Sequence, residues 1–307
     1  MKLHRPPSWH VKAIVEGKRV SGAYNGDRSS FPLLPAPTTD PMHRFLTALT
    51  LFSSLSISTT GCVTTASVSS GPVARIAAIE AVHGGAVYNA AAAVEADLAI
   101  EFGPMVLKGD MTFTPSLGRV KLQLDDTATV LYDNETSWIW PAEASVPGPP
   151  ARFHVVTWPY FVAAPFKLDD PGTTATDAGV LAVTGPDDRR AGTKVSFDAG
   201  VGDAPDDWYI AFTDDQGRMD ALGYIVTFGK TQAEAEEQPS IILYSDFVNV
   251  DGVELATTWT FHLWDPANGV VGEPKGRGKL DNIEFVEVKE ATFAKPVGAI
   301  EVRAPGK

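Results

Sequence analysis

"VEADLAIEF", residues 94–102, alternates apolar and acidic side chains: Val94, Ala96, Leu98, Ile100 and Phe102 fall on one side, Glu95, Asp97 and Glu101 on the other. A period of two sends successive side chains to opposite faces of an extended chain, so the stretch predicts a strand with one buried and one wetted face. Half-wetted strands belong to antiparallel sheets, since parallel sheets are covered on both sides. Comparable runs follow at 106–114, 119–124, 128–132 and 137–140, with Asp133-Asn134-Glu135 turning between the last two. In the second half, 179–184, 192–197, 208–213, 221–228, 240–248, 254–264 and 283–288 read as strands. Asp214-Asp215-Gln216-Gly217 and Asn249-Val250-Asp251-Gly252 supply turns between them. About a dozen strands with short polar turns predict a mainly β (α+β) domain. Its sheet is expected to be large, curved and antiparallel, forming a half-open barrel with short helices as lid or plug.

Two stretches depart from the period of two. Gly71-Pro72 opens and His83-Gly84-Gly85 closes a helix, with Val73, Ile76 and Ala77 as its apolar stripe and His83 at the end where a cation is favoured. Between the two sets of strands lies "PPARFHVVTWPYFVAAPFKLDDP", residues 149–171, almost continuously apolar from 153 to 166. An apolar run of about 10–14 residues is more often a core helix than a membrane segment. Pro159 and Pro165 predict that it forms only short helical pieces. The segment is expected to lie across the concave side of the sheet. Trp138, Trp140, Phe153, Trp158, Phe161, Phe166 and Leu168 gather around it. They fit either the lining of an apolar ligand cavity or a solid aromatic core, and periodicity does not separate the two.

"MHRFLTALTLFSSLSISTTGC", residues 42–62, has the build of an export signal: His43 and Arg44 precede the apolar run 45–57, and small residues follow. The alternative is a buried core helix, because the run is too short to span a bilayer, which takes about 20 residues. Ser58-Thr59-Thr60-Gly61-Cys62 resembles the lipobox of bacterial lipoproteins, in which the Cys is acylated and becomes the mature N-terminus. Thr59 stands where that pattern has a large aliphatic residue. The resemblance implies Cys62 as the lipid attachment point. Residues 1–41 are then a disordered leader or translated upstream sequence, 42–61 a signal peptide, 62–71 a tether and 72–307 the domain. Val63 follows the Cys where an Asp would signal inner-membrane retention in some bacteria. The expected location is therefore the outer membrane facing the periplasm, with inner-membrane anchorage or surface exposure as alternatives. One Cys in 307 residues excludes an intrachain disulfide and a multi-Cys metal site.

Residues 62–307 hold 18 Lys+Arg against 35 Asp+Glu, a net charge near −17. This excludes nucleic acid as a partner, since phosphates demand a basic footprint. Asp-Asp pairs begin at 125, 169, 187, 206 and 214. They fall in separate turns, where Asp bonds its own backbone, whereas Ca2+ needs about six to eight converging oxygens. The pair to inspect first is Asp206-Asp207, just before Trp208. His83, His154 and His262 lack metalloprotease spacing, and no nucleophile elbow is present. No metal, cofactor or catalytic residue is therefore expected; a hydrolase built from scattered residues such as Asp206 or His154 is the enzyme alternative. "GEPKGRGKL", 272–280, has the wrong spacing for a phosphate loop and predicts a flexible basic loop.

The ordered motifs "AVHGG" (81–85), "PFKLDDP" (165–171), "KVSFDAGVGDAPDDWYIAFTDDQGRMDALGYIVT" (194–227) and "DFVNVDGVELATTW" (246–259) resemble a family of uncharacterised bacterial lipoproteins. That family in turn looks like the LolA/LolB-type outer-membrane lipoprotein carriers. The resemblance implies a half-open barrel closed by short helices over an apolar cavity that receives acyl chains. The soluble carriers place a lid-bonding Arg in an early strand; residues 86–102 contain none, and Arg75 and Arg119 are the nearest. The implied partners are a lipid or apolar small molecule and the membrane, through the N-terminal lipid. A protein partner is not indicated. The rival reading is an anchored structural protein with a filled barrel.

Overall fold

The computed structural model describes residues 71–125, 127–227 and 230–303. The expected leader, signal peptide, Cys62 and all of the tether but Gly71 lie outside the described residues. Helices α1 (Pro72–Val82) and α2 (Gly85–Ala90) come first. A meander of β1 (Ala93–Phe102), β2 (Met105–Phe113), β3 (Arg119–Leu124), β4 (Ala128–Asp133) and β5 (Thr136–Trp140) follows. Helix α3 (Ala151–Ala163) and a 3-10 turn (Ala164–Phe166) lead into a second meander. This one runs through β6 (Thr173–Ala182), β7 (Arg189–Phe197), β8 (Trp208–Thr213), β9 (Met219–Tyr224), α4 (Gln232–Glu236), β10 (Ser240–Val250), β11 (Val253–Asp265) and β12 (Gly269–Val286). A short β13 (Ile300–Val302) adds to β5.

All thirteen strands form one antiparallel sheet in the order β13-β5-β4-β3-β2-β1-β12-β11-β10-β9-β8-β7-β6. The two meanders share a single seam, where β1 pairs β12 from Ala93 opposite Val286 to Phe102 opposite Gly276. β6 and β13 end the sheet without pairing to each other, so it is not closed into a barrel. β1 follows its alternation: Val94, Ala96, Leu98 and Ile100 are buried, and Glu95, Asp97 and Glu101 are exposed. The edge strand β6 is interrupted by a bulge between Asp177 and Gly179, where Gly179 has φ +77°.

The expected loop at 272–280 is instead the middle of β12, flanked by β1 and β11. Its alternation is hidden because glycine occupies apolar positions: Gly276, Gly278 and Leu280 are buried, while Arg277 and Lys279 are exposed. The glycines make room for neighbouring rings. A Cβ on Gly278 would sit 2.7 Å from Trp259 Cε3, and one on Gly276 2.3 Å from Phe102 Cδ2.

Helix α1 begins with Pro72 and is capped by His83, as its composition predicts. His83 is not the expected cation. It is buried, its Nδ1–H donates to Glu254 O (2.7 Å), and its Nε2 accepts from the Met219 N–H (2.8 Å). That pattern requires the neutral ring, and desolvation holds its pKa below the ordinary value. The imidazole thus ties the end of α1 to β9 and β11. Gly84 follows at φ +83°, with room for no side chain because a Cβ there would lie 2.2 Å from Gly252 O.

Helix α3 also differs from expectation, running unbroken through Pro159. Proline removes the bond its N–H would make to the Val155 carbonyl. Burial of nine of the helix's thirteen side chains offsets that loss. The main core fills the space between α3 and the sheet with Trp158, Phe161, Phe166, Trp259 and Phe261. The opposite face of the second meander carries a smaller core of Trp208, Ile210, Phe212, Ile241 and Trp264, covered by Val183 and Ala235.

Replacing Gly278 by Val is expected to destabilise the protein by about 1–3 kcal/mol through overpacking. Gly185→Ala, at a site where an added Cβ meets nothing within 4 Å, is expected to be near neutral. Urea unfolding midpoints of the two variants check this.

Candidate functional site

A curved sheet that stops short of closure leaves its two arms to be joined by something else. Here α3 joins them. Phe161 packs against Tyr224 and Phe261, and the Tyr244 hydroxyl donates to Phe161 O (3.3 Å). At the start of the helix Arg152 is buried and grips both arms. Its Nε and Nη2 donate to the two carboxylate oxygens of Asp203 (2.6 and 2.8 Å) in the β7–β8 loop. Its Nη1 donates to Glu135 O (2.7 Å) and Ser137 Oγ (3.3 Å) in the first meander. The preceding loop is pinned by His154, whose Nε2–H lies 3.0 and 3.1 Å from the Pro147 and Pro149 carbonyls, while Nδ1 accepts from Trp158 Nε1–H (2.9 Å). Both ring nitrogens are engaged, and burial holds this His neutral too.

Between the arms and beside α3 lies a cavity of about 390 Å3. The β2–β3 turn and the end of β4 wall one side with Leu117 and Tyr132, and the β7–β8 region walls the other with Phe197, Val201 and Tyr209. Val155, Val156, Tyr160 and Phe161 of α3 supply the base, with Lys167 and Asp170 at one end and Asp203 and Asp207 at another. Lys167 is buried and pairs with Asp170 at 3.0 Å. Asp207 Oδ1 accepts from the Thr227 N–H and hydroxyl, each at 2.7 Å. Desolvation raises the pKa of Asp207; the Thr227 bonds oppose this and the neighbouring Asp206 adds to it. The rings of Tyr160 and Tyr209 stack with centroids 5.3 Å apart, and Phe197 meets Tyr209 edge-on at 5.7 Å. The Tyr160 hydroxyl is buried with no hydrogen-bond partner.

Of the seven residues expected around the apolar segment, Phe161 lines this cavity. Trp158, Phe166 and Leu168 are buried in the main core, where Phe166 stacks on Tyr88 at 3.9 Å. Phe153 packs edge-on against Trp158, at the margin of that core. Trp138 is half-buried beneath Lys295, and Trp140 is 43% exposed. The hollow therefore lies beside the aromatic cluster rather than within it. Among the Asp-Asp pairs, Asp214 caps its own turn, accepting from the N–H groups of Gln216 and Arg218. Asp207 is the member that reaches a cavity without an ion pair. Among the described residues, no three His, Cys, Asp or Glu side chains are placed to hold a metal ion. No helix among them is long and apolar enough to cross a membrane.

No protein family matches the chain, and no curated protein matches it. The solved structures it resembles include LolA-type folds. One is a LolA superfamily protein from Nitrosomonas europaea, at 7% identity and TM-score 0.47, over 74% of this chain and 98% of that one. Another is a DUF1329 family protein from Desulfovibrio piger, at 12% identity and TM-score 0.44, over 73% of this chain and 98% of that one.

Because His83 and His154 are both held below their ordinary pKa of 6.5, the stability they confer is complete above that value. It is lost as pH falls through their depressed folded pKa values, because the unfolded chain takes up protons first. The wild type is expected to lose more urea stability between pH 7.5 and 5.5 than His154→Gln does. Equal losses would show that His154 is not held neutral.

Proposed function

We propose that this protein is a lipid-anchored envelope protein that holds an apolar chain or small apolar molecule in the cavity between α3 and the two arms of its open sheet. One observation carries the reading: the open sheet leaves a cavity of about 390 Å3 to which both arms and α3 contribute apolar groups, Leu117, Val155, Phe161, Phe197 and Val201, beside polar ones. Small-molecule sites span about 300–1,000 Å3 and are mostly apolar with a few placed polar groups, so this volume suits one small amphiphile. Each methylene buried would contribute about 0.8 kcal/mol, and binding of this kind needs no catalysis. Cys62 would carry the lipid, and Val63 after it favours the outer membrane facing the periplasm.

The packed middle of the domain favours a second reading. Trp158, Phe166 and Leu168 fill the space beneath the sheet, as an anchored scaffold without a ligand would require.

The two readings separate in a titration of the full chain with dodecanol, followed by native mass spectrometry. Binding is expected at one equivalent. Val156→Trp, which places an indole in the cavity, is expected to weaken it about tenfold or more, roughly 1.4 kcal/mol. No binding by the wild type would leave the scaffold. For the anchor, cells fed a labelled fatty acid are expected to label the wild type and not Cys62→Ser; equal labelling would remove the lipoprotein assignment.

A further inference from the structure

The polar groups around the cavity indicate which kind of amphiphile fits, and this inference rests on the reading above. Two of the three lining carboxylates already have countercharges. Asp170 pairs with Lys167, and Asp203 is gripped by Arg152. Asp207 is different. Thr227 holds its Oδ1 from two directions, while its Oδ2 accepts from none of the described residues, and no cation pairs with it. Burial raises the pKa of this carboxyl, against the two bonds from Thr227. The second unsatisfied group is the buried Tyr160 hydroxyl. Burial pushes its pKa up, with the Asp170 charge adding to the effect, and its ring stacks on Tyr209.

The two vacant positions are therefore an acceptor carboxylate oxygen and a hydroxyl, set against the aromatic walls of Tyr160, Tyr209 and Phe197. An anionic head would meet three carboxylates and a lysine that is already paired. A cationic head would complete Asp207 and gain from the ring faces, which attract cations. We propose that the cavity takes an amphiphile with a cationic head, an ammonium on an apolar chain, with Asp207 as its countercharge and the Tyr160 hydroxyl as a hydrogen-bonding partner.

The test is calorimetric titration of the full chain, at physiological salt and below micelle formation, with dodecylamine, dodecanol and dodecanoate. Dodecylamine is expected to bind at one site about tenfold tighter than dodecanol, with dodecanoate weakest. Asp207→Asn is expected to make amine and alcohol equal, and Tyr160→Phe to narrow the gap between them. Asp206→Asn, which removes the same formal charge one residue away from a residue outside the cavity lining, is expected to keep the preference. If Asp207→Asn fails to fold, the order of the three probes on the wild type still decides. Dodecanol binding with amine no tighter, or a preference that survives Asp207→Asn, overturns this inference and leaves the apolar site standing. Failure of all three probes overturns both.

Discussion

An antiparallel sheet that curves without closing has an oily inner face and two arms whose outer edges share no hydrogen bonds. The rest of this molecule follows from how α3 answers both needs. Its apolar side chains cover the inner face, and Arg152 at its first turn holds Asp203 on one arm and Glu135 and Ser137 on the other. A bidentate guanidinium suits the position, because its planar fork serves a carboxylate and carbonyl or hydroxyl groups at once, which an ammonium on a flexible stem does less well. Removing it would leave Asp203 without its partner and the start of α3 without its polar link to either arm.

The same arrangement explains why the interior is solid in one place and hollow in another. Large aromatics from α3 and β11 meet at the centre, where the sheet is continuous and both faces can be packed to the density of a protein interior. Toward the gap, the walls are strand ends together with turns and a loop. Their side chains cannot interdigitate with those of a facing strand, and space remains. The polar groups that line it come from the same irregular segments, which is why a carboxylate such as Asp207 can be held by Thr227 without an opposite charge.

Much of this was legible from residue patterns. The period of two located the β1–β5 and β7–β11 strands to within a few residues, and Pro72 with Gly84 bracketed α1. Only the end of β12 was found, as the strand expected at 283–288, because Gly276 and Gly278 made 272–280 read as a flexible loop, whereas here they are the buried members of an alternating pair of faces. Helix α4 carries a capping box, Thr231 with Glu234, which is visible in the sequence but was absorbed into the interval between strands. The cavity was harder. Its lining comes from segments spread between Ser116 and Tyr209, and no local periodicity brings them together. The tryptophans carry the stronger local signal but are large enough to serve as core, and Tyr160 and Arg152 carry the weaker one. An Arg at the head of the apolar run and a His two residues on were the available signs that the helix had a polar task.

The seam between the two meanders carries a kinetic consequence. β1 finds its second neighbour only in β12, at the far end of the chain, so its pairing requires closing almost the whole domain as one loop. Contacts so distant along the polypeptide slow folding, and while they are unmade, β1 exposes a raw edge beside a greasy face. A nascent chain with this layout cannot complete its sheet before residues 269–286 emerge from the ribosome. Until then β1 keeps one edge open to pairing with another chain.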